Sequence, residues 1–102
     1  MIAYDTALHL IRDSLNSLQR VGLIEQEVII QDDIVLLGSG SPLDSIAFVT
    51  FVTELEDRLN RETNQEELFL VLQDIHEFNI DNSNLSASTF AHYLVKLTEE
   101  KA

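Results

Sequence analysis

The sequence has no cysteine, which excludes disulfides, thiolate metal ligands and a cysteine nucleophile together. Its single proline and two of its three glycines fall in one stretch, Gly38-Ser39-Gly40-Ser41-Pro42, so backbone punctuation is nearly confined to that loop. Positive charge is scarce as well: six bases stand against eighteen acids, a formal net charge of −12. Such a surface repels phosphate backbones and anionic lipid, which argues against nucleic-acid and membrane-surface binding and favours basic protein partners. The imbalance grows along the chain, from −4 over residues 1–43 to −8 over residues 44–102. No apolar run reaches the length of a membrane span. Met1 to Asp5 lacks the basic start of a signal peptide, and a cytoplasmic protein is expected.

Enough remains to build one modest core. With 102 residues, 45% hydrophobic and 24% charged, the chain is expected to form a single domain over residues 1–102. Tyr4, Leu8, Ile11, Leu15 and Leu18 recur at steps of four and three, the apolar stripe of an amphipathic helix placed at about residues 3–20, with Gly22 as its stop. Residues 23–43 lack a helical period. Their β-branched residues allow two strands, but an isolated pair is marginal, and a long loop lying across a helical core is preferred.

Asp44 or Ser45 then caps a second helix running to about Asn60. At about 100° per residue, Phe48, Val49, Phe51, Val52, Leu55 and Leu59 form its apolar arc. Ala47, Thr50, Glu54, Asp57 and Arg58 lie opposite, and Ile46 falls off the arc beside Ser45. Arg61 to Gln65 reads as a polar break, and Leu68 to Leu72 as an apolar run of ambiguous structure. A short third helix over Gln73 to Phe78 turns Ile75 and Phe78 inward, and Asn79 to Asn84 is a turn-forming loop. Ser86 caps a last helix bearing Phe90, Tyr93, Leu94 and Leu97, with Lys96 and Lys101 suiting the dipole at its end. The expected fold is all-α: three long helices, one short third helix, and a long loop between the first two.

Catalytic chemistry finds little support in these residues. His9, His76 and His92 have no partner at metal-ligand spacing. Asp81 to Ser86 lacks the central glycine and closing glutamate of a calcium loop. Ser45 is not in a Gly-x-Ser-x-Gly elbow, and the Gly38-x-Gly40 loop lacks the lysine of a phosphate-binding loop. The protein is not expected to be an enzyme.

The Asp44-Ser45-Ile46 tripeptide at the start of the second helix resembles the hallmark of the acyl carrier proteins and their peptidyl and D-alanyl relatives. The resemblance extends through Val49, Val52, Leu55-Glu56-Asp57 and Leu59, and more weakly to Ser86 and Tyr93-Leu94. It implies a four-helix, acyl-carrier-like bundle. It also implies that Ser45 carries 4′-phosphopantetheine, transferred from coenzyme A by a phosphopantetheinyl transferase. Partners would be that transferase and acyl ligase or synthase enzymes with basic docking patches that read Asp44, Ile46, Glu54, Glu56 and Asp57 on a monomeric carrier.

The chain departs from the family where a glycine two residues before the serine is replaced by Leu43. It differs again at Ala47, Phe48 and Thr50, and in its longer segment between the second and last helices. These differences point to a specialised biosynthetic pathway rather than housekeeping fatty-acid synthesis. The competing expectation is an unmodified acidic helical adaptor, in which Ser45 is only a cap.

Overall fold

Helix α1 spans Tyr4–Arg20, within a residue of the expected bounds. The structure, a computed structural model, describes residues 2–31, 33–63, 69–79 and 84–101. Ile11, Leu15 and Leu18 are buried as the stripe requires, with Tyr4 and Leu8 packed at its edges. Ala7 and Ser14 are buried with them, small side chains that the hydrophobic pattern does not single out. Ser14 satisfies its hydroxyl by donating to the Leu10 carbonyl at 2.9 Å. Gly22, at φ +88°, ends the helix: its amide reaches the Gln19 carbonyl and the Leu23 amide the Leu18 carbonyl, the paired bonds of a Schellman stop.

The long loop that follows lies across the helices as expected, burying Ile24, Leu36 and Leu43. The Gln19 side-chain amide pins it to α1, donating to the carbonyls of Glu25 at 3.0 Å and Val28 at 2.8 Å. One part of it is not loop. Val35–Leu37 forms a short strand, β1, antiparallel to β2 at Leu85–Ser86. The register slips between Val35 and Leu37, and fully buried Leu36 occupies the irregularity. Strand propensity was therefore real, but the partner comes from beside the last helix rather than from within the loop. Ser88 donates to the Asp33 carboxylate at 2.6 Å, which holds the Asp33 carboxyl below the ordinary aspartate value against a smaller opposing effect of burial.

Helix α2 spans Ser45–Thr63 and outruns the expected end at Asn60. Arg61 pairs with Asp57 one turn back, and Thr63 donates to the Leu59 carbonyl at 2.8 Å. The polar residues at 61–63 decorate the helix instead of breaking it; Asn64 and Gln65 lie outside the described residues. The buried arc of α2 is also turned from the expected one. Ala47 is fully buried and Val49 is 54% exposed, the reverse of their expected places. The buried arc, which takes in the small Ala47 and leaves Val49 out, is turned by roughly 50° from the expected one, away from Val49.

After 64–68, which lie outside the described residues with Leu68 of the apolar run, the chain has no regular structure at 69–71, is extended at Val71, and forms α3 over Leu72–Phe78. Ile75 is buried as expected. Phe78 is not inward but at the rim, edge-on to Tyr93 with ring centroids 5.5 Å apart and the Lys96 ammonium 5.8 Å from its own ring centre. Of the expected Asn79–Asn84 loop, residues 80–83 lie outside the described residues. The Thr89 amide donates to Ser86 Oγ at 3.3 Å, so Ser86 caps α4 (Ala87–Lys101) as expected.

Phe90, Tyr93 and Leu94 of α4 close the core, where Phe51, Phe90, Tyr93 and Phe78 meet edge to face in series from α2 through α4 to α3. The radius of gyration is 12.7 Å, against about 12.8 Å for a compact chain of this length. Among the described residues the fold is thus mostly helical, with four helices, one of them short, a long α1–α2 loop and a minor two-stranded pairing.

Candidate functional site

The geometry at Ser45 is set by the loop before it. Gly38 and Gly40 adopt φ +109° and +88°, conformations that a Cβ disfavours, and the Ser41 amide closes a turn on the Gly38 carbonyl at 3.2 Å. Ser41 Oγ donates to the Leu36 carbonyl at 2.8 Å and accepts the Leu43 amide at 3.1 Å. The Ser39 amide donates to Asn84 Oδ1 at 3.0 Å, tying the loop to the chain ahead of α4. Leu43, at the position where the resembled family has glycine, is buried at 8% exposure and anchors the loop in the core.

The next residue decides which of Asp44 and Ser45 caps α2. Asp44 Oδ1 accepts the Ala47 amide at 2.8 Å, and the Asp44 carbonyl accepts the Phe48 amide at 2.9 Å. Asp44 is therefore the N-cap, and Ser45 is the first helical residue. Ser45 is exposed, and its hydroxyl makes no hydrogen bond among the described residues. The backbone amides of Ser45 and Ile46 likewise take no acceptor there, leaving two donors beside the hydroxyl at the positive end of a 19-residue helix.

From Ser45 an exposed strip runs down α2. Ile46 is 70% exposed and Val49 follows at the same face, with Glu56 and Asp57 two turns further on. Glu56 shares the Ser45 side of the helix, about 20° around the axis, while Ile46 and Asp57 lie about 100° and 120° round on one flank and Asp44 precedes the first turn. Glu54 does not: nine residues from Ser45, it lies about 180° around the axis and meets the Arg58 guanidinium at 3.5 Å. Asp57 pairs with Arg61, and Glu56 Oε2 accepts the Leu70 amide at 2.9 Å. Val49 joins the strip unforeseen, because apolar spacing alone places it in the core arc.

A cavity of about 260 Å³ is lined by Leu37, Phe48, Ile75, His76, Asn79 and Leu85. Phe48, in its wall, stands three residues after Ser45 on α2. Its walls come from β1, α2, α3 and β2, four elements distant in sequence, and no local pattern announces it. His76 is at its wall, whereas His92 stacks on Tyr4 with ring centroids 4.6 Å apart. Among the described residues no group of three or more histidines or carboxylates is placed to hold a metal ion, and no helix is long and apolar enough to cross a membrane.

No family model, curated protein or solved structure matches this chain.

Proposed function

We propose that this chain is a carrier protein of the acyl-carrier kind, loaded through a 4′-phosphopantetheine arm on Ser45 and read by partner enzymes along α2. The observation that supports it best is the division of labour at the helix start: Asp44 caps, and the Ser45 hydroxyl stays exposed and unbonded. A serine needed only as a cap would spend its hydroxyl on the first-turn amides. The free amides of Ser45 and Ile46 suit a phosphodiester at that oxygen.

The arm would supply the thiol that a cysteine-free chain lacks, holding the acyl group as a thioester. This chain's own residues would present and shelter the cargo. The cavity next to Phe48 offers mainly apolar walls, with His76 and Asn79 as polar contacts. Its 260 Å³, set against about 30 Å³ per water-sized group, suits a short acyl chain. Asp44, Ile46, Val49, Glu56 and Asp57 offer a basic partner an acidic strip with an apolar start, suited to fast and reversible docking. Glu54 lies on the other side of α2 and would engage only a partner that wraps the helix.

Incubation with coenzyme A and a broad-specificity phosphopantetheinyl transferase is expected to add one phosphopantetheine to the intact protein, read by mass spectrometry. Ser45→Ala should abolish the addition while changing unfolding stability by less than about 0.5 kcal/mol. Asp44→Ala should instead lose about 0.5–2 kcal/mol with the cap. An unchanged mass across several transferases, or a cap-sized stability loss in Ser45→Ala, would count against the carrier and leave the acidic adaptor.

A further inference from the structure

The last two turns of α1 and the latter half of α2 border a polar pocket of about 570 Å³, lined by Asp13, Asn16, Gln19, Arg20 and Arg58. Arg58 is roughly 20 Å along α2 from Ser45 and about 140° round its axis, so the carrier function makes no use of this pocket. Bases are scarce in the chain, six against eighteen acids, yet two of them line this one pocket. Neither has its hydrogen bonds met. Arg20 is exposed and makes no hydrogen bond or ion pair among the described residues. The dipole at the end of α1 favours a cation there but leaves the guanidinium donors free. Arg58 meets Glu54 at 3.5 Å, beyond ordinary hydrogen-bond length, and its Nε is shut off from water with no acceptor. A buried donor left unpaired is costly, and a turn of the guanidinium toward an acceptor in the pocket removes that cost. Asn16 adds a half-buried amide that is likewise unbonded among the described residues.

These donors fit an oxyanion, since a planar guanidinium pairs with two oxygens at once. Charge selects which one. Arg20 and Arg58 supply two positive charges and Asp13 one negative, a net charge of +1 on the pocket walls, and Glu54 beside Arg58 lowers even that. The carbonyl end of α1 is close by and weighs against a second negative charge. A phosphate group, with close to two negative charges at neutral pH, overshoots this balance next to Asp13. A carboxylate, with one, does not. We propose that the pocket between α1 and α2 binds a small organic monocarboxylate through Arg20, Arg58 and Asn16. The site lies apart from the first turn of α2, so it holds whether or not Ser45 carries an arm.

Sodium acetate titrated into the unmodified protein, with sodium chloride holding the ionic strength constant, tests this by NMR. The side-chain Nε–H signals of Arg20 and Arg58 are expected to move together and saturate, while that of Arg61, paired with Asp57, stays in place. Arg20→Gln should weaken acetate binding roughly tenfold or more, because its charge-assisted bonds are lost. Arg20 is exposed, so the backbone amide spectrum of that variant should match the wild type away from the pocket. Ser45→Ala should bind acetate as the wild type does, which keeps a failure here distinct from a failure of transferase to act. Shifts that never saturate, or that sodium chloride alone reproduces, would overturn the site. Undiminished acetate binding by Arg20→Gln would overturn its assignment to Arg20. Inorganic phosphate binding more tightly than acetate would overturn the choice of a monocarboxylate.

Discussion

Two neighbouring residues, Asp44 and Ser45, have interchangeable cap chemistry, and only geometry separates them. Sequence reaches the tripeptide but not the division, because aspartate and serine are both strong N-caps and either could precede Ile46. The backbone decides: with the Asp44 carbonyl already accepting the Phe48 amide, Asp44 is the cap and Ser45 is inside the helix. Asp33 is a second residue whose behaviour follows from one partner. The Ser88 hydroxyl bond lowers its folded-state pKa, so it adds stability above the ordinary aspartate value of about 3.9, lost as pH falls through the lower folded value. Ser88→Ala is expected to raise the Asp33 pKa toward that ordinary value, followed by carboxyl NMR through an acid titration. The stability involved is small, because Asp33 is exposed and solvent screens the bond.

At the scale of elements, helices with long apolar repeats were legible and the pieces that complete them were not. The α1 stripe and the capped start of α4 follow from spacing alone. The rotation of α2 does not, since apolar spacing admits Val49 to the arc and only the folded chain shows Ala47 buried in its stead. Nor could β1 be paired from sequence. Its Val35–Leu37 run has strand propensity, but its two-residue partner is some fifty positions away and carries no strand pattern of its own. The cavity shares this fate, having walls from four elements. The element most open to a decisive change is the loop entering α2. Leu43 is buried in the core where the resembled carriers have glycine. Leu43→Ala should destabilise the protein by about 2–5 kcal/mol, read as a shift in urea midpoint without a change in slope. A loss under 1 kcal/mol would show that Leu43 does not anchor the loop.

For the whole molecule, the acidic excess is a standing self-repulsion. Eighteen acids against six bases leave few favourable pairs, and two of the bases, Arg58 and Arg61, pair with acids on their own helix. Added sodium chloride should therefore raise the melting temperature, most steeply below about 0.15 M where screening changes fastest. A melting temperature that falls with salt would mean that ion pairs outweigh repulsion. The aromatic series through the core has a practical consequence of another kind. The chain has no tryptophan and only two tyrosines, so near-ultraviolet emission belongs to Tyr4 and Tyr93 alone. Tyr4 rests on His92, whereas Tyr93 is buried beneath Phe78 of α3. Replacing Tyr4 with phenylalanine would leave one fluorophore seated under the short helix, and its intensity would follow that helix in real time without any label.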